Sequence, residues 1–191
     1  MIGKIEDARK AVTMDVKRPG DYVYLLGCTA NELGASEYLT MKGFVGNNVP
    51  KVDAASAYAR YLAYHGAVLQ GLVASCHDLS DGGLAVAAAE SAFAGGFGIS
   101  IDLSRVPWKG DEAGWTDAAL LFSESASRLL VTVRPEHAEA FESALGDDCC
   151  ARIGKVTEQP VLSIEAIEGN TIVSAELAEL KEAWQSTLRE L

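Results

Sequence analysis

Ala74–Leu84 reads ASCHDLSDGGL, and this joint decides the fold. The apolar run LVASC that leads into it suits a strand, and the alanine-rich stretch behind it, ended by Gly95-Gly96, suits a helix from Gly82 to about Gly95. A strand that turns directly into a helix is the repeating unit of an α/β sheet. Into the joint are crowded an imidazole (His77), two carboxylates (Asp78, Asp81), a hydroxyl (Ser80) and a glycine pair (Gly82, Gly83). A plain helix start explains part of this: Ser80 or Asp81 caps the helix, worth about 1 kcal/mol, and the glycines allow a tight turn. It does not use every side chain. The mouth of a helix also presents unpaired N–H groups and the positive end of a dipole. Asp78 falls at the C-terminal tip of the strand, where α/β sheets open a ligand crevice. A carboxylate there, beside a polyphosphate, is a natural Mg²⁺ ligand. The residues alone leave a helix start and a phosphate or metal site equally open.

Around this joint, strand and helix patterns alternate. YVYLLG (Tyr22–Gly27) is a compact apolar strand behind the turn residues Pro19-Gly20-Asp21. The glycine-rich stretch that follows reads as loop and short helix. From Val52 to Leu72, apolar residues recur at steps of three and four (Tyr58, Tyr61, Leu62, His65, Val68, Leu69, Leu72), which predicts a helix with Asp53 as N-cap and this stripe facing the core. FGISIDL alternates as a strand, residues 104–117 read as a surface excursion, and SRLLVTV is a further strand. PEHAEAFESALG is a helix with Pro135 in its first turn and Gly146 past its end. ARIGKVT, PVLSIEAI and NTIVS supply up to three more strands, with a hairpin-like turn at Glu168-Gly169-Asn170. The last helix carries Leu177, Leu180, Trp184 and Leu188 on one stripe. The expected fold is a single α/β (α+β) domain, a mixed sheet flanked by helices. Its expected boundaries are a lead-in over 1–20, the domain over 21–175 and a C-terminal helix over 176–191.

The totals narrow the function. A net charge of −11 argues against nucleic-acid binding, which needs a basic face. No run of 18 apolar residues suggests a membrane span, and MIGKIEDARKAV lacks a signal peptide's apolar core. Four cysteines without a CxxC pair fit a reducing cytoplasm, with idle thiols and no zinc site.

Two more stretches carry chemistry-bearing residues. NELGASEYL (Asn31–Leu39) places Gly34 and Ser36 where backbone can approach closely, or where a loop simply ends in a capped turn. LFSESASR (Leu121–Arg128) offers Glu124 and Ser125 to a polar ligand, or a local Glu124–Arg128 pair. His65 reads as a core histidine and His137 as a solvated one.

Taken in order, GDYVYLLGCTANELGASEYL, ASCHDLSDGGLAVAAAESAFAGGFGISIDLS, LFSESASRLLVTV and ARIGKVT closely resemble the C-terminal part of the phosphoribosylformylglycinamidine (FGAM) synthetase family. That family sits within the aminoimidazole ribonucleotide synthetase-like superfamily. The resemblance implies the C-terminal domain of the synthetase subunit, a mixed sheet flanking a central barrel built by preceding N-terminal domains. It implies a cytoplasmic ligase that uses ATP, Mg²⁺ and glutamine to convert formylglycinamide ribonucleotide to the amidine in purine biosynthesis, partnered by a glutaminase domain or subunit. It implies no catalytic residue in this chain, which alone should be inactive. By position, Asp78 matches a metal ligand of the family's related first half, and Glu124 and Ser125 match substrate contacts, with Ala126 where that half carries Gln. The expected nucleotide, phosphate or substrate set is Gly34, Ser36, His77, Ser80, Asp81, Gly82, Gly83, Glu124 and Ser125. Ala35 stands where the family more often has glycine. The competing readings are a stand-alone nucleotide-binding or assembly module, and another ATP-dependent enzyme of the superfamily.

Overall fold

The computed structural model describes residue 5 and residues 7–146 and 150–189. Seven strands, β1 (Tyr22–Leu26), β2 (Ser75–Asp78), β3 (Gly98–Asp102), β4 (Leu129–Val133), β5 (Cys150–Thr157), β6 (Val161–Glu165) and β7 (Thr171–Glu176), form one sheet in the order β2-β4-β1-β5-β3-β6-β7. Only β3 and β6 pair in parallel; the other neighbours are antiparallel, so the sheet is mixed. The helices are α1 (Glu37–Met41), α2 (Ala54–Leu69), α3 (Gly83–Gly95), α4 (Asp117–Phe122), α5 (Ala138–Leu145) and α6 (Leu177–Arg189).

β1 shows how alternation builds both layers. Val23 and Leu25 point into a large cluster with Leu84, Ala88 and Ala92 of α3. Tyr24 and Leu26 point the other way, against Phe141 of α5 and Ala67 of α2. Towards β3 the second face turns polar: Ile99 and Ile101 enter the α3 core, while Ser100 and Asp102 line a shallow depression beside Arg152 and Lys155. One solvated face is the ordinary state of an antiparallel sheet. The lead-in is part of the fold too. Thr13 accepts the Cys76 N–H at the β2 edge, and Val16, 2% exposed, donates to the Ser91 carbonyl of α3.

The structure corrects several expectations. The strand read as LVASC starts three residues later and ends two later, with Asp78 as its last residue. Asp53 caps α2 through the Ala55 and Ser56 N–H groups, as expected. The face α2 turns to the sheet is the opposite of the predicted one. Ala57, Arg60 and Ala67 are buried, while Tyr58, Tyr61, Leu62, Leu69 and His65 are exposed. The face that meets the sheet packs Ala63, Tyr64 and Ala67 around Tyr24 and Phe141, whose rings lie tilted at 5.1 Å. Residues 104–117 are not a mere excursion, because Val106 is buried and Trp108 and Trp115 pack on the main cluster. The following α4, capped by Thr116, has no counterpart in the sequence reading. On α6, Leu177 is buried, Leu180 packs on the core, and Trp184 rests its ring against Phe93 while its indole N–H donates to Glu90 at 3.0 Å. The side chain of Leu188 lies outside the described residues.

Cys76 is a free thiol, and burial pushes it up to about 11, so it is idle at neutral pH. Cys28 is disulfide-bonded, which departs from the expectation of four reduced thiols. Cys149 lies outside the described residues.

The β2–α3 joint depends on one glycine. Gly83 has φ +62°, and a Cβ there would lie 2.5 Å from the Ser123 carbonyl oxygen and 2.9 Å from that of Leu121. Gly169, in the β6–β7 turn, has φ +86° but open space around it. Gly83→Ala should therefore lower the unfolding free energy by about 3 kcal/mol or more, against about 1 kcal/mol for Gly169→Ala. Urea unfolding of the two variants measures the difference; equal losses would contradict it.

Candidate functional site at the β1–β2 edge

The strand register gathers three loops at one edge of the sheet. Leu26, the last residue of β1, and Asp78, the last of β2, both pair with Leu129, the first of β4. The β1–α1, β2–α3 and α4–β4 connections therefore emerge side by side, at the carboxyl ends of two parallel-running strands. Gly34, Ser36, Ser80, Asp81, Gly82, Glu124 and Ser125 lie on those connections, with His77 and Asp78 at the end of β2 and Gly83 opening α3.

Glu124 ties two of them together. Its Oε1 accepts the Gly82 N–H at 2.9 Å and the Glu37 N–H at 3.0 Å. One carboxylate thus occupies the mouths of α3 and α1 at once. α3 has Gly82 at its N-cap with no side-chain cap, so neither Ser80 nor Asp81 performs the expected capping. The negative charge that a helix mouth favours comes from across the site.

Arg128 organises the third connection. It is 1% exposed, and its guanidinium donates to the Ser125 carbonyl at 2.9 Å, to Thr29 Oγ1 at 2.9 Å and to the Ser123 carbonyl. Burial lowers its pKa to about 10, partly offset by the Glu32 and Glu124 carboxylates, so it remains a cation at neutral pH. The local Glu124–Arg128 pair offered as the plain reading gives way to these separate roles. Ser125 Oγ accepts the Ala30 N–H at 3.1 Å, and Ser123 Oγ accepts that of Glu32 at 3.3 Å. Ser125 is buried and committed to the scaffold.

Gly34 and Ser36 have equally local work. A Cβ at Gly34 would meet the Asn48 backbone at 2.6–2.8 Å, and the Gly34 N–H donates to the Asn48 carbonyl at 2.9 Å. Ser36 is buried, donates to the Leu33 carbonyl at 2.7 Å and caps α1 through the Leu39 N–H. Between them Ala35 holds φ +59°, a left-handed conformation that costs an alanine what glycine would not incur.

The β2 tip is different. Asp78 has a side chain 68% exposed; its Oδ2 accepts the Ser80 hydroxyl at 2.6 Å, and its Oδ1 stands 3.5 Å from His77 Nδ1. The Ser80 hydrogen bond, more than the nearby imidazole, holds the Asp78 carboxyl below the usual carboxylate range. His77 Nε2 meets Glu90 Oε2 at 2.7 Å, and the other Glu90 oxygen takes the Trp184 indole N–H. Glu90 of α3 thus links β2 and α6. Ser80 and Asp81 are exposed.

Sequence reasoning missed the neighbouring cavity. A space of about 420 Å³ lies between Glu32, Lys51, Asp53, Arg60, Lys109 and the Ser125–Ser127 turn. Arg60, 8% exposed, donates to the Ser127 carbonyl at 3.0 Å, and Glu32 accepts the Lys51 N–H at 3.1 Å. Its three cations come from separate segments, so no local motif announced them.

The donor set limits what this chain holds alone. Among the described residues no group of three His, Cys, Asp or Glu is placed to bind a metal ion. Asp78 offers a single carboxylate, and Glu124 already takes one amide at the start of each of α3 and α1. A complete Mg²⁺–nucleotide site does not fit these residues by themselves.

Two outcomes follow from the geometry. Glu124→Ala leaves the Gly82 and Glu37 N–H groups without their acceptor and should cost about 1–3 kcal/mol, with Glu124→Gln about half as costly, as read by thermal unfolding. Because the Asp78 pKa is depressed in the folded chain, its contribution to stability is present above the unfolded carboxylate pKa and lost as pH falls through the folded value. Ser80→Ala should raise the Asp78 midpoint in a carboxyl NMR titration; an unmoved midpoint would show that the hydroxyl is not the cause.

The comparisons with known proteins agree with this architecture. Residues 18–167 match the family model described as AIR synthase related protein, C-terminal domain. The phosphoribosylformylglycinamidine synthase subunit PurL of Lactobacillus helveticus is 38% identical over 98% of this chain, which corresponds to 24% of its own length. A Thermotoga maritima PurL complexed with FGAR superposes with a TM-score of 0.76 at 25% identity, covering 91% of this chain and 30% of that one. A second structure of that protein, complexed with ATP, gives 0.70 at 24% identity over 91% of this chain and 27% of that one. The chain spans about a quarter of the length of the curated relatives it matches. By its fold, its strand-to-helix joint and its match over residues 18–167, the chain belongs to the AIR synthase related protein, C-terminal domain family.

Proposed function

We propose that this chain serves as the C-terminal flanking domain of a phosphoribosylformylglycinamidine synthase. In this reading the whole protein is a carbon–nitrogen ligase of the cytoplasm. It takes ATP, Mg²⁺, glutamine-derived ammonia and formylglycinamide ribonucleotide, and works with its preceding N-terminal domains and a glutaminase domain or subunit. The observation that carries the reading is the alignment of 98% of this chain with one quarter of a PurL subunit. FGAR and ATP, named in the Thermotoga maritima complexes, are the ligands it brings to this chain.

The geometry supports a division of labour among the proposed site residues. Gly34, Ser36, Gly82, Gly83, Glu124 and Ser125 are buried or bonded within the chain, and they hold three loops in register as one wall of a cleft. Asp78, Ser80 and Asp81 are the exposed groups on that wall. Asp78 is the position proposed to face a metal ion, and His77 is the proposed brace behind it, fixed by Glu90. The absent chemistry is phosphoryl activation of the formamide oxygen, and ATP supplies it when bound. This chain's part is to present a carboxylate and a rigid edge.

Two measurements test the reading. Titration of the chain alone with Mg-ATP should give no binding tighter than about 100 μM, since half of an anion site supplies half of its contacts; micromolar affinity would favour a self-sufficient nucleotide-binding module. A chimera of the Lactobacillus helveticus subunit, with this chain in place of its matching quarter, should form FGAM within about tenfold of the parent rate when ammonia is supplied. A folded chimera without turnover would sink the proposal.

A further inference from the structure

Helix α2 is apolar on two sides. One side, through Ala57 and Ala67, packs on the sheet. The other presents Tyr58 (67% exposed), Tyr61 (44%) and Leu62 (53%) at helical spacing, continued by Leu69 two turns on. The segment that leads into α2 is also rich in exposed apolar residues: Met41, Phe44 and Val52 are 71%, 66% and 66% exposed. A soluble helix with a single buried stripe carries polar residues opposite it, and one that is apolar all round belongs in an interior. A contiguous run of large exposed side chains marks an interaction surface, whereas scattered ones need no explanation. Of the large exposed apolar residues in the described chain, most fall between Met41 and Leu69.

We infer that this outer face of α2, with the segment from Met41 to Val52, docks another domain of the same synthase polypeptide. The inference rests on the function proposed above and adds the surface by which the domain is held. Two observations name the occupant. The relatives align with nearly all of this chain yet are about four times as long, so in them the matching segment is tethered to other domains. The surface also differs in charge from its surroundings: its exposed charged side chains between residues 41 and 70 are two basic (Lys42, Lys51) and one acidic (Asp53), in a chain of net charge −11. The partner face is therefore an apolar patch with an acidic rim. Lys51 and Val52, at the start of this surface, also line the 420 Å³ cavity.

The test compares the chain alone with the same Lactobacillus helveticus chimera by hydroxyl-radical footprinting, which reads Met and aromatic side chains. Met41, Phe44, Tyr58 and Tyr61 should react freely in the chain alone and about tenfold more slowly in the chimera. Trp184, on the opposite face of the sheet, should react alike in both. Leu62→Asp should leave the melting temperature of the chain alone unchanged and lower that of the chimera. Equal reactivity in the two proteins overturns the inference. So does protection of the chain alone that grows with its concentration, since the occupant is then a second copy. A chimera that fails to fold where the parent folds counts against it as well. A protected chimera without synthase turnover defeats the proposed function and leaves this surface standing; turnover without protection does the reverse.

Discussion

A buried guanidinium holds the working edge of this domain together. Arg128 sits in the interior at the start of β4, where an unpaired cation is strongly disfavoured. It is tolerated because the α4–β4 turn bends its carbonyls, and Thr29 its hydroxyl, onto the fork of donors. That bend sets Ser125 against Ala30 and aims Glu124 at the mouths of α3 and α1. Lysine, with a point charge on a flexible stem, cannot reach three acceptors in one plane. The loops at this edge are therefore not independent surface segments.

The same arrangement explains why the domain reads as a wall of a cleft and not as a cleft. An α/β sheet offers helix-mouth amides to anions at the carboxyl ends of its strands. Here the chain's own carboxylate takes one such amide at each of two helix starts, and the groups left facing outward are an acid at the β2 tip and its polar neighbours. Such a surface can complete a site begun by another domain. The apolar outer side of α2 fits that picture, because a helix left open on its second side is a helix awaiting a second layer.

Much of this was legible in the chain. The β2–α3 joint could be read because its signals are local: a short apolar run, a glycine pair and an alanine-rich helix within one stretch. The Asp53 cap and the β6–β7 turn at Gly169 were readable for the same reason. The site's residue types were visible in ASCHDLSDGGL, NELGASEYL and LFSESASR, but their tasks were not. Ser80 and Asp81 read as caps, yet the mouth of α3 is filled by Glu124, more than forty residues away in sequence. Arg128 read as one half of a surface pair, because nothing in the local pattern says that a charged residue at the head of a strand will be enclosed.

The sequence by itself determined the order of the strands and the longer helices, the tight turn at Gly82-Gly83 and the family, since these depend on backbone propensities and on neighbours within a few residues. Only the tertiary structure decided which face of α2 meets the sheet, which carboxylate serves two helix starts, and that Lys51, Arg60 and Lys109 share a cavity. Those outcomes depend on which surfaces the sheet brings within a few ångströms of each other. When both sides of a helix are apolar, periodicity cannot choose between them, and the packing around Tyr24 and Phe141 makes the choice.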